Sequence, residues 1–201
     1  NKTASSLKLK TPTKKMKVSN FSNTWILLLD VAVLGCLIAS WIGHEWYVFL
    51  DEHDLTFPIE ITFGLWERCS ITLTSTACIK YELHLTWMKI VQCFIVISSV
   101  LTVLGTVFTG AVFMKSCYNK WSMAIKLLVV GFTTAAAGIF YHNHSTLLPM
   151  SVDVRAIQYG WSFHATIAAI IILIVSFIIQ LFSFVYLRDK EVVEVQYQMA
   201  L

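Results

Sequence analysis

The chain has 201 residues, of which 57% are hydrophobic and 13% charged, with a mean hydropathy of +0.69. Soluble domains carry about 25% charged residues, and a water-soluble core of this size cannot hide so much apolar surface, so composition excludes a soluble globule and points to lipid as the solvent. The formal net charge of +3 is small, and there is room for one compact bundle and little else.

In chain order, the first segment (1–23) holds Lys2, Lys8, Lys10, Lys14, Lys15 and Lys17 and no acid. No folded basic domain accompanies it, so it reads as the flank of a membrane span and not as a nucleic-acid arm. It is expected to be a cytoplasmic tail, too long and lysine-rich for a cleaved signal peptide. Four apolar spans follow, at about 25–42, 87–114, 123–141 and 159–187. Each approaches the roughly 20 residues that cross the hydrocarbon, and each must be a helix, because lipid offers the backbone no other partners. Trp25, Trp41, Trp87, Trp121, Tyr141, Tyr159, Trp161 and Tyr186 mark many of the span ends, as an interfacial belt does. A second cytoplasmic tail is expected over 189–201, flexible like the first.

Lysine and arginine set the orientation. The first tail, the turn with Lys115 and Lys120, and Arg188 with Lys190 form the richer side, which predicts that both termini are cytoplasmic. The opposite side then carries a long loop at about 44–86 and a short one at about 142–158. The long loop is acidic, with Glu45, Asp51, Glu52, Asp54, Glu60, Glu67 and Glu82. It also alternates: Ile59, Ile61, Phe63 and Leu65 interleave with Glu60, Thr62, Gly64 and Trp66, and Ile71 and Leu73 with Thr72 and Thr74. Residues around Trp46–Leu50 are β-prone too. This period predicts a small antiparallel sheet seated on the outer end of an all-α four-helix bundle.

Five cysteines are present, and only Cys69 and Cys78 share a polar loop, which suggests one disulfide in an oxidising compartment. Such a bond would staple neighbouring strands in a loop too short to build its own core. Trp46 and Trp66 can bury a ring face while keeping the indole N–H paired. Gly64 permits a close approach or an unusual φ beside Trp66.

The run Trp46, Gly64-Leu65-Trp66, Cys69 and Cys78, set between the first and second of four spans, resembles the first outer loop of the claudin, epithelial membrane protein and peripheral myelin protein superfamily. That group also includes auxiliary subunits of glutamate receptors and calcium channels. The resemblance implies a four-helix bundle with an outer sheet of four or five strands, acting by lateral and cell-to-cell association without catalysis. The sequence departs from true claudins: Lys89 is the nearest cation to the entry of the second span, where they usually have arginine, and the final Met199-Ala200-Leu201 is not their usual ending. These departures favour a divergent, orphan-like member over a junction-strand former.

Other residues have bland readings beside sharp ones. Ala32, Gly35, Ala39 and Gly43, and Gly131, Ala135 and Gly138, form small-residue faces, read first as packing inside the bundle and second as a partner face. Asp30 is an intramembrane acid near the span's end, expected to pair with Lys126 or reach the interface. Gln92 and His164 need only hydrogen-bonded roles. His44, Glu45, Asp51, Glu52, His53 and Asp54 lack tight ligand spacing, so a solvated acidic loop is preferred to a metal site. Asn143 begins a glycosylation sequon that abuts the membrane, which argues against its use, and Cys117 is a juxtamembrane candidate for palmitoylation. No nucleophile–base pair, phosphate loop or carboxylate dyad is evident, so neither an enzyme nor a cofactor is expected.

The expected function is therefore association in the plasma membrane, including a specialised surface such as that of sperm. Membrane lipid and a channel, transporter or receptor are the expected partners, with the chain as auxiliary subunit or scaffold. Self-association as a junctional or adhesive protein is the alternative, and a small ion pathway using Asp30 and the acidic loop the third reading.

Overall fold

A computed structural model of the protein describes residues 13–51, 59–72, 75–81, 86–112, 118–147 and 157–199. Four helices dominate it: α1 (Thr13–Ile42), α2 (Thr86–Val112), α3 (Tyr118–Asn143) and α4 (Trp161–Met199). Each contains a stretch of 21 to 27 residues with mean hydropathy between 1.9 and 2.8, long and apolar enough to cross a membrane. At about 1.5 Å rise per residue such a stretch covers the roughly 30 Å hydrocarbon.

The helix ends differ from the sequence reading. Helix α1 begins at Thr13, inside the basic tail, and α4 continues to Met199, through the end expected to be flexible. Neither extension contains glycine or proline after Pro12, so nothing in the backbone chemistry stops the helix. Helix α4 starts at Trp161, and Tyr159, assigned to the fourth span, instead closes a strand.

Consecutive helices are neighbours, and α4 returns to pack on α1, closing the ring. The inward stripe of α1 is Ile26, Asp30, Val33, Leu37 and Ser40, spaced four and three apart as one helical face requires. Val33 and Leu37 join Val129, Ala169 and Leu173 in one core cluster. The outward faces are apolar as well: Val107 is 64% exposed and Phe182 71%. A helix apolar on its outer face suits hydrocarbon and not water.

On one end of the bundle sits a five-stranded antiparallel sheet in the order β4-β3-β2-β1-β5. The strands are β1 (Tyr47–Asp51), β2 (Ile59–Phe63), β3 (Glu67–Ile71), β4 (Thr76–Lys80) and β5 (Ile157–Tyr159). Strand β5 arrives from the α3–α4 connection, after a 3-10 turn at His144–Leu147. The alternation read through Trp66 ends earlier as strand, because the Gly64 N–H donates to the Glu67 carbonyl at 2.9 Å and turns the chain. Trp46, Tyr47, Phe49, Phe63 and Leu65 pack with Met88, Ile95, Ala136, Phe140 and Phe163 into a core shared by sheet and helices.

Candidate functional site

The last four carbonyls of a helix lack partners within it. In α1 the Gly43 N–H donates to the Ala39 carbonyl at 3.0 Å. The Trp46 indole donates to the Ser40 carbonyl and the Trp66 indole to the Trp41 carbonyl, both at 2.9 Å. The two signature tryptophans therefore cap successive carbonyls of one helix end. Trp46 is fully buried, edge-on to Phe140 at 4.8 Å, whereas Trp66 is 41% exposed and edge-on to Trp41 at 6.2 Å.

The Gly64-Leu65-Trp66 turn is held from two further elements. Gln92 of α2 donates its amide N–H to the Leu65 carbonyl at 2.7 Å. The Tyr81 hydroxyl donates to the Gly64 carbonyl at 3.0 Å. Burial pushes the Tyr81 hydroxyl well above the usual tyrosine range, with nearby Arg68 opposing, so it stays a donor. Gly64 is required by close approach and not by a positive φ: a Cβ there would lie 2.9 Å from the His44 Cα. Sheet, turn and bundle thus form one braced platform.

Cys69 and Cys78 form a disulfide between directly opposed positions of β3 and β4. Beyond this staple the platform opens. All five residues of β4 are exposed, and among the described residues this strand pairs on one side only. Between β3–β4 and the 3-10 turn lies a groove of about 430 Å³, lined by Phe63, Arg68, Ile79, Lys80, Tyr81 and Leu147, with Thr146. On the opposite half of the same sheet face, Tyr47 is buried against Tyr159 and His144. Burial, with Tyr159 adding to it, raises the Tyr47 hydroxyl to about 12, so it stays neutral in its apolar setting.

Inside the bundle, Asp30 and Lys126 form an ion pair at 2.8 Å, each side chain 3% exposed. Ser176 donates to Asp30 Oδ1 and Thr109 to Asp30 Oδ2, both at 2.9 Å. The Lys126 ammonium also donates to Ser176 at 2.8 Å, and Ser122 meets Thr109 at 2.8 Å. One residue or more from every helix meets in this knot. Of the two outcomes read for Asp30, pairing with Lys126 is the one realised. A void beside the pair measures about 10 Å³, at the lower limit of what one water needs. Further polar rungs join α4 to its neighbours, Ser40 to Thr166 and Asn119 to Gln180.

The small-residue faces are a correction. Gly43 packs inside, against Ser162 of α4, but Gly35, Gly131 and Gly138 are exposed, with nothing within 4 Å of a Cβ built on them. The inward stripe of each helix is carried by other residues, and the helical period turns these glycines outward. Asn143 ends α3 with its amide donating to the Ile139 carbonyl at 2.8 Å. His44 pairs with Glu67 at 2.9 Å. Cys69 lies beside them but is consumed by the disulfide, so the three do not make a metal-ligand set. Cys117, Glu52, His53 and Asp54 lie outside the described residues.

Sequence reasoning missed Ser176, Thr109 and Ser122, because isolated hydroxyl residues in an apolar helix carry no spacing signal. It also gave Gln92 a generic polar role. Its position one turn inside the second span, facing the loop signature, was the available clue. In comparisons with known proteins, no protein-family model and no curated protein matches the chain.

Proposed function

We propose that this chain is a claudin-like, four-span protein of the plasma membrane that works by association, as an auxiliary subunit or scaffold for a channel, transporter or receptor. The observation that carries this reading is the braced sheet with an open edge. Two indoles, Gln92 and Tyr81 fix its base to the bundle, while no described residue covers the outer edge of β4 or the groove beside it. A rigid scaffold presenting an uncovered strand suits recognition. The lysine-rich tail and the Lys115–Lys120 turn support an orientation with both termini in the cytoplasm and the sheet outside. The loop signature and the Cys69–Cys78 disulfide support the resemblance to the claudin superfamily.

The buried charges argue for architecture over transport. Asp30 and Lys126 neutralise each other and are hydrogen-bonded on both sides. An ion pathway needs charges facing a wet cavity, and the void here holds one water at most. The test is gentle purification from expressing cells with identification of co-purifying membrane proteins. A partner recovered at a fixed ratio supports the reading; a lone monomer in several mild detergents defeats it.

A further inference from the structure

Phe63, Arg68 and Ile79 are cross-strand neighbours on β2, β3 and β4, so their side chains form one row on one sheet face. That row is the floor of the 430 Å³ groove, with Leu147 as its far wall and Lys80 at its rim. The volume lies within the roughly 300–1,000 Å³ of ordinary ligand pockets. Ile79 is 61% exposed there.

The groove is apolar and basic at once. Arg68 and Lys80 are both exposed, and neither is in an ion pair among the described residues. Glu67 is opposite Lys80 in register, but its carboxylate is held by His44 at 2.9 Å. No acid is among the described residues that line the groove. Two cations that no described acid pairs with, beside an apolar floor, call for carboxylates next to an apolar side chain. Among the described residues the β4 backbone pairs on one side only and runs along the same groove, and such an edge accepts an added strand. A lysine placed only to guard that edge would need neither Arg68 nor an apolar floor.

We propose that this groove and the β4 edge together dock an acidic, extended segment from the outer region of a membrane-protein partner. On the groove face a carboxylate meets Arg68 and an apolar side chain two residues on fills the space between Phe63, Ile79 and Leu147, while on the other face a carboxylate meets Lys80. This site rests on the associative function proposed above and names the face that carries it.

The test uses the full-length protein in lipid nanodiscs and a labelled short peptide that repeats glutamate-glutamate-valine-threonine, so that a strand of it carries glutamate and valine on one face and glutamate on the other, followed by fluorescence anisotropy. The peptide should bind, and binding should weaken as salt rises. Arg68→Gln and Lys80→Gln should each weaken it about three- to fivefold, and Ile79→Asp should abolish it, with thermal stability of all three unchanged. Equal binding of the same peptide with glutamine or lysine in place of every glutamate, or unchanged affinity in the double Arg68→Gln/Lys80→Gln variant, overturns the proposal. So does a nanodisc dimer that this double variant dissolves, because the occupant is then a second copy. A partner that co-purifies equally with wild type and the double variant refutes the groove and leaves the associative reading standing. Peptide binding as expected with no co-purifying partner refutes that reading and leaves the groove.

Discussion

Replacing Lys126 by methionine keeps most of the side chain's length and removes its charge. Asp30 would then keep two hydroxyl donors, Thr109 and Ser176, and lose the only cation within reach among the described residues. Replacing Asp30 by leucine is the converse, leaving the ammonium with one hydroxyl acceptor, Ser176. Both side chains are 3% exposed, so neither orphaned charge can be hydrated in place. Breaking a buried pair by removing one partner costs about 3–5 kcal/mol, whereas removing both is often neutral or stabilising. Each single variant should therefore unfold at a lower temperature by roughly 6–20 °C, taking about 2–4 °C per kcal/mol for a chain of this size. The double variant should regain most of the loss, giving a coupling of about 3 kcal/mol or more in the mutant cycle. Fluorescence-detected size-exclusion after heating in mild detergent measures this without purification. Additive losses, or single variants within about 0.5 kcal/mol of wild type, would refute the reasoning that the pair locks the helices together.

Trp46→Phe leaves the Ser40 carbonyl unpaired in a buried site and should cost about 1–3 kcal/mol, while Trp66→Phe, at an exposed site, should cost less; the same thermal assay ranks them. Cys69→Ser and Cys78→Ser should each remove roughly 2–3 kcal/mol for cysteines nine positions apart, read as reduced surface biotinylation, and normal delivery of both would contradict it. Gly43→Ala and Gly160→Ala should impair folding, because a Cβ meets Ser162 at the first and the Glu45 backbone at the second. Gly131→Ala and Gly138→Ala meet open space and should be neutral or raise stability by up to about 1 kcal/mol each through helix propensity.

The four helices were legible because lipid demands long apolar runs, a signal that needs no periodicity. Their ends were less so: nothing in a hydropathy profile starts α1 at Thr13 or carries α4 to Met199, where helix propensity and the absence of breakers decide. Asp30 and Lys126 could be matched in advance because each is a lone charge in an apolar segment. Their hydroxyl partners could not, since Ser and Thr are ordinary in spans. The loop's alternation located β2 and continued falsely through Leu65 and Trp66, because the turn keeps Leu65 buried and Trp66 exposed, as a strand would. Strand β5 is three residues long and was absorbed into the fourth span. The outward glycines show the limit of reading a face: spacing tells which residues share a side, and only packing tells which side is inside.

Association is the central functional claim. Native mass measurement of the protein extracted directly from membranes in polymer-bounded lipid discs tests it most directly. The account predicts a mass above that of one 22.8 kDa chain, made up by a second membrane protein at a fixed ratio. Discs that hold one chain alone, across several extraction conditions and expressing cell types, would contradict it.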